Sequence, residues 1–214
     1  MRLYLSSFRL GDHPEHLVGL VGGAARGAVV IANAMDVAPA DVRCSWVERE
    51  LADLAGLGFD AAELDLRDYF GDRQRLRADL DGAGLAWLCG GNTFGLRYAL
   101  LRSGADVVFT DLLAADALVY AGYSAGACVL APSLRGLELV DDPGAVERTY
   151  GAEPVWDGLG VLSEAFVPHY QSPGHPETEA MDLVVARYRA EGVAYRTLRD
   201  GQALVIDGPG TTVV

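Results

Sequence analysis

Ser124 stands between Gly122 and Gly126, in the segment Ala121-Gly122-Tyr123-Ser124-Ala125-Gly126-Ala127. The apolar run Ala117–Gly122 before it reads as a strand, and the small residues after it read as a helix start. A Gly-x-Ser-x-Gly spacing at such a junction suits a nucleophile elbow. The glycines permit a sharp turn that leaves the hydroxyl projecting into a cleft, while the first helical amides face a developing oxyanion. The alternative is a serine helix cap between glycines that only allow tight packing. Gly90-Gly91-Asn92-Thr93 follows a second apolar run, Ala86–Cys89. The Gly91 N–H is a candidate second oxyanion donor, because no Cβ blocks its approach. Here the alternative is an Asn or Thr cap after a flexible turn. A phosphate cradle is disfavoured by the lack of a Walker lysine or a Gly-x-Gly-x-x-Gly spacing.

A serine nucleophile needs a base, and the chain has four histidines. His13 and His16 fall in the first connection. His169 closes the run Ala165–Val167, and His175 precedes Pro176 and Glu177. At a strand end His169 can titrate near neutrality and reach a neighbouring strand, which makes it the preferred base. His175 either caps a helix or lines the pocket. A carboxylate that orients the imidazole completes such a set. Asp200, directly after the run Ala194–Leu198, is preferred, with Glu177 behind it. Asp200-Gly201 also reads as a hairpin turn joining two antiparallel strands.

Further runs at Leu3–Ser7, Ala28–Asn33 and Ala203–Ile206 read as buried strands. Helical periodicity covers Asp41–Leu57, Asp72–Leu80, Phe94–Ser103, Gly104–Ala115 and His175–Ala190. The alternation predicts an α/β fold of three layers, α/β/α, around a mostly parallel sheet. Reacting groups then gather beyond the carboxyl ends of its strands. With 214 residues, half of them hydrophobic, and no linker or repeat, residues 1–214 are expected to form one domain. A formal charge of −13 argues against nucleic acid or an anionic membrane surface as partner. Cys44, Cys89 and Cys128 suit a reducing compartment as small buried hydrophobes rather than disulfide or zinc ligands. Without a secretory leader or a membrane-length apolar run, a cytoplasmic location is expected.

The order and rough spacing of several landmarks resemble the peptidase E family of serine dipeptidases, alpha-aspartyl dipeptidase and its relatives, over nearly the whole length. These landmarks are Gly90-Gly91-Asn92-Thr93-Phe94, Gly122 to Ala127, Pro132 with Arg135, Pro168-His169-Tyr170, and Gly174-His175 with Glu177-Thr178. The resemblance implies a class I glutamine amidotransferase-like fold with serine in place of cysteine. Ser124 becomes the nucleophile, His169 the base, and Gly91 and Ala125 the oxyanion donors. The family's late glutamate falls on Asp200. Asn92, Arg135, His175, Glu177 and Glu179 are assigned to the substrate pocket. Where aspartyl-specific members carry an arginine after the Glu-Thr pair, this chain has Glu179, and the family's aspartate beyond the nucleophile appears as Leu139, with Glu138 and Asp141 nearby. A carboxylate facing the pocket would repel an N-terminal aspartate and favour neutral or basic residues.

The expectation is therefore a serine exopeptidase acting on short peptides through an acyl-enzyme, with neither metal nor organic cofactor needed. An esterase or amidase on non-peptide acyl groups, and a non-catalytic binding domain on the same scaffold, are the competing readings. Monomer and homodimer are both left open.

Overall fold

The computed structural model describes residues 1–22 and 27–214. A seven-stranded sheet has the order β3-β2-β4-β5-β1-β8-β9. It comprises β1 (Arg2–Ser6), β2 (Gly27–Ile31), β3 (Asp60–Glu63), β4 (Leu85–Leu88), β5 (Val119–Tyr123), β8 (Ala203–Asp207) and β9 (Gly210–Val213). The first five pair in parallel, while β8 runs antiparallel to both β1 and β9.

Alternation along these strands divides the core between two faces, because successive side chains of a strand point to opposite sides. Leu3 and Leu5 of β1, with Ala86 and Leu88 of β4, join one cluster, packed with α4 (Thr93–Ser103) and α5 (Ala105–Ala114). Tyr4, Leu85 and Trp87 join the other, with α1 (Glu15–Val21) and α2 (Ala40–Gly56). Every residue of β4 and β5 is buried, which explains why both read as unbroken apolar runs. The α/β class and the mostly parallel sheet flanked by helices agree with the sequence reading.

Some connections differ from it. β6 (Ala165–Val167) and β7 (Tyr195–Thr197) leave the main sheet and pair in parallel as a separate ribbon. β7 is only half-buried. Asp200-Gly201 therefore does not turn between paired antiparallel strands. The hairpin lies instead between β8 and β9, at Gly208 and Pro209. α8 (Thr178–Glu191) begins three residues later than expected, leaving His175 in the preceding loop. Polar β3, exposed β9, α1, α3 (Arg73–Asp79), α6 (Ala125–Cys128) and α7 (Ala145–Tyr150) complete the regular elements. Cys89 and Cys128 are buried as expected, but Cys44 lies exposed on α2. No helix among the described residues is long and apolar enough to cross a membrane.

Candidate active site

Ser124 leaves β5 with φ 48° and ψ −116°, a conformation that costs an L-residue about 1–3 kcal/mol and persists only where the surroundings impose it. What imposes it is the close passage of β4. A Cβ at Gly122 would stand 2.6 Å from the Leu88 carbonyl oxygen, and one at Gly126 would overlap the same atom. Only hydrogen fits at either position. The Ser124 carbonyl accepts hydrogen bonds from the Ala127 and Cys128 amides, both at 2.9 Å, and so starts the short α6. Its side chain makes no capping hydrogen bond. The cap alternative is thus not realised, and the hydroxyl faces a cavity of about 120 Å³.

Gly90 and Gly91 form the neighbouring wall of that cavity. A Cβ on Gly90 would lie 2.7 Å from the Tyr123 ring and 3.2 Å from the Ser124 Cβ. Gly91 has φ +135°, and a Cβ there would meet the Ala34 carbonyl oxygen at 2.6 Å. The β4 loop is therefore packed with Gly90 against Tyr123 and Ser124 and with Gly91 against the Ala34 backbone, closer than a Cβ allows. Asn92 is spent on structure. Its Oδ1 accepts the Gly95 N–H at 2.8 Å, capping α4, and its amide donates to the Asp142 carbonyl at 3.1 Å. Beneath the cavity Tyr123 donates to the buried Glu50 at 2.9 Å and accepts from the Trp46 indole at 2.8 Å, while Trp87 donates to the other Glu50 oxygen at 2.9 Å.

The parallel pairing of β6 and β7 carries His169 and Asp200 to the same end of their ribbon. His169 Nδ1 lies 2.7 Å from Asp200 Oδ1. Burial works to raise the Asp200 pKa, but hydrogen bonds from His169 and Ser7 outweigh it and hold the carboxyl below its usual value. An ionised carboxylate only accepts, so Nδ1 carries a proton, and in the neutral imidazole the lone pair is then on Nε2. Ser7, just past β1, donates to Asp200 Oδ1 at 2.8 Å and accepts the His169 backbone N–H at 2.8 Å. Ser172 Oγ accepts the Asp200 N–H at 2.8 Å. Thr178 Oγ1 lies 2.8 Å from the His169 carbonyl oxygen. His169 itself is buried and, like Ser124, holds a positive φ, here 57°.

Ser124 and His169 line the same cavity, with no hydrogen bond between them among the described residues. His175 lies flat on His169, ring centroids 3.6 Å apart and planes within 2°. Phe8 meets both rings edge-on. Glu177 also lines the cavity, with Oε2 3.9 Å from His169 Nε2. Glu179 and Arg135 are not brought there. Glu179 occupies the first turn of α8 outside the lining, and Arg135 stacks on Trp156 beside a different cavity. Among residues missed by sequence reasoning are Ser7, Ser172 and Asp141. The Asp141 carboxylate accepts the Thr93 N–H at 2.9 Å. Burial above all, opposed by that hydrogen bond, raises its pKa from 3.8 to about 6, with Glu177 and His169 close enough to contribute. Ser7 closes a predicted strand, which was its only signal. Asp141 lies two residues past the position of the family's aspartate, and Ser172 carries no signal, since serines in loops are common.

A strained serine at the end of a central parallel strand, with a carboxylate-held histidine across one cavity, is an arrangement suited to a serine-type hydrolase. Residues 17–214 match peptidase family S51, and the chain belongs to that family. It is 32% identical over 143 residues to an uncharacterized peptidase of Listeria innocua, covering 67% of this chain and 64% of that relative. It is 31% identical over 181 residues to peptidase E of Streptomyces coelicolor, covering 79% and 70%. Among solved structures, a Listeria monocytogenes protein assigned to peptidase E superposes with TM-score 0.80 at 24% identity, covering 100% of this chain and 97% of that one. A peptidase from an acI-B1 actinobacterium gives TM-score 0.70 at 18% identity, covering 100% and 86%. At those identities the two structures speak to the fold.

Proposed function

We propose that the chain is a serine exopeptidase that cleaves short peptides through an acyl-enzyme. The observation that carries this reading is the pairing of His169 with ionised Asp200 across the cavity from Ser124. In the first step Ser124 Oγ attacks the scissile carbonyl and His169 Nε2 takes the hydroxyl proton. The tetrahedral oxygen is received by the backbone N–H groups of Gly91 and Ala125. His169 then gives its proton to the leaving amine, and water repeats the sequence on the ester. Bonds between nucleophile and base often form fully only when substrate is bound.

Substrate preference follows from the walls. Glu177 supplies a carboxylate for a free α-ammonium group. Phe8, Met35 and Trp46 supply apolar surface. Among the described residues the lining contains no arginine or lysine, so an acidic N-terminal side chain would find no counter-charge there. Dipeptides led by small or apolar residues are the expected substrates, and aspartyl-led dipeptides are expected to be poor ones.

The test is a dipeptide panel varied at the N-terminal residue, run on wild type and Ser124→Ala. Wild type should cleave apolar-led dipeptides, and Ser124→Ala should lose about 10⁴-fold or more in kcat/KM with an unchanged circular dichroism spectrum. Turnover of activated esters with no dipeptide cleaved would replace the peptidase reading by an esterase. A Ser124 that resists fluorophosphonate labelling would remove catalysis altogether.

A further inference from the structure

We infer that His169, His175 and Glu177 form a capture site for Zn²⁺, which switches the enzyme off by occupying its base. One ligand atom from each residue lies within 4.8 Å of the other two. Two imidazoles and a carboxylate are a donor set that suits zinc, and three protein ligands leave a fourth position for water. His169 is already arranged as a metal-binding histidine. Its Nδ1–H is held by Asp200 at 2.7 Å, which selects the tautomer of the neutral ring in which Nε2 is the nitrogen left for a ligand. Glu177 Oε2 lies 3.9 Å from that Nε2, and its side chain is 41% exposed, free to swing.

The stacked histidines do not coordinate as they stand. Zinc bonds of about 2.0–2.1 Å place tetrahedral ligands roughly 3.3–3.4 Å apart, so the cluster must contract by about 1–1.5 Å. A cation must also lie near the plane of each ring it binds, and parallel rings with centroids 3.6 Å apart cannot both meet that condition. His175 is the ring that moves. It sits in the loop before α8, and its ring has one hydrogen bond, accepted by Nδ1 from the Glu177 N–H at 3.2 Å, whereas the buried His169 ring is bonded to Asp200 at 2.7 Å. Capture therefore trades the stack for coordination. Inhibition rests on the role proposed for His169, whereas metal binding does not.

The experiment pairs two readouts. Zinc binding is followed by isothermal titration, and site geometry by the visible absorption of Co²⁺, on wild type, His175→Phe and a His13→Ala/Cys44→Ser double variant. Phenylalanine keeps the stacked ring and removes its nitrogens. The double variant removes ligands at the exposed His13–Glu15 pair and the exposed thiol. Dipeptide hydrolysis at rising Zn²⁺ is measured in parallel, each protein normalised to its own metal-free rate. Expected are one high-affinity Zn²⁺ per chain, tetrahedral Co²⁺ bands, inhibition reversed by chelator, and about a 100-fold weaker response in His175→Phe with the double variant unchanged. Wild-type affinity in His175→Phe, loss of binding in the double variant, or no binding at all would overturn the site. Zinc bound as expected by a protein that hydrolyses no dipeptide would leave the site standing and remove the peptidase reading instead.

Discussion

The two halves of the candidate site are built on opposite principles. Ser124 and the Gly90-Gly91 loop rise from adjacent strands at the centre of the main sheet, where β4 and β5 are buried throughout. Their geometry is enforced by steric exclusion, with Gly122 and Gly126 beneath the Leu88 carbonyl and Gly91 against Ala34. His169 and Asp200 stand on a two-stranded ribbon outside that sheet, held by a polar lattice of Ser7, Ser172 and Thr178. The difference assigns tolerance. A crowded backbone has no way to relax, so the nucleophile side should fail as structure when altered. A hydrogen-bonded ribbon can lose a partner and keep its fold, so the base side should fail as chemistry.

On the ribbon half the largest expected effect is that of Asp200→Asn. The amide keeps the shape but can donate, which favours the wrong imidazole tautomer and leaves the imidazolium without its counter-charge. A fall of about 10³–10⁴-fold in kcat/KM is expected, with the unfolding midpoint little changed. If activity and stability fell together, the two halves would not differ in the way described.

Gly126→Ala tests the sheet half. The added methyl group would overlap the Leu88 carbonyl oxygen, a backbone atom that cannot swing aside. Overpacking of this kind costs about 1–3 kcal/mol. Thermal unfolding should shift down accordingly, and activity should fall with it as Ser124 is displaced. A variant as stable as wild type would show that the serine turn is looser than its contacts imply.

Asp141 lies between the halves, bonded to the Thr93 amide that follows the β4 loop and felt by His169. Its raised pKa means that the fold favours the protonated acid. The stability tied to this group is therefore present below the usual carboxylate pKa of 3.8 and is lost as pH rises through about 6. Asn in its place still accepts the Thr93 N–H and cannot ionise. Chemical denaturation at pH 5 and pH 8 should show Asp141→Asn gaining on wild type at the higher pH, by of order 1 kcal/mol. An equal gap at both values would mean that Asp141 titrates normally.

The same contrast explains what could be read from the residues alone. Steric exclusion leaves a sequence signature, because glycine is required wherever a Cβ would collide, so Gly122, Gly126 and Gly91 marked the nucleophile side in advance. β4 and β5 were equally plain as unbroken apolar runs. A hydrogen-bond lattice leaves almost none. Ser172 and Asp141 are ordinary loop residues by type, and their partners lie 28 and 48 residues away in the chain. His169 and Asp200 stood out only because their runs ended there, and the separation of β6 and β7 from the main sheet was not visible in two short apolar runs. Polar β3, with the sequence Asp-Ala-Ala-Glu, failed to register as a strand for the same reason.

Glu179 sharpens the comparison at its edge, with the smallest expected effect. Read by position in the chain, it replaces an arginine at the substrate pocket and should repel an acidic N-terminal residue. In the fold it follows Thr178 onto the first turn of α8, while the cavity wall is formed by Glu177, two residues earlier. Two steps along a helix rotate a side chain by about 200°, to nearly the opposite side. Glu179→Gln should therefore leave the ratio of kcat/KM for aspartyl-led and leucyl-led dipeptides within about twofold of wild type, the size of a screened surface charge effect. Glu177→Gln should instead raise KM for free-amino dipeptides and spare N-acetylated ones, since only the former present an α-ammonium group. A selectivity that moved with Glu179 and not with Glu177 would reverse the assignment and place the first turn of α8 in the substrate's path.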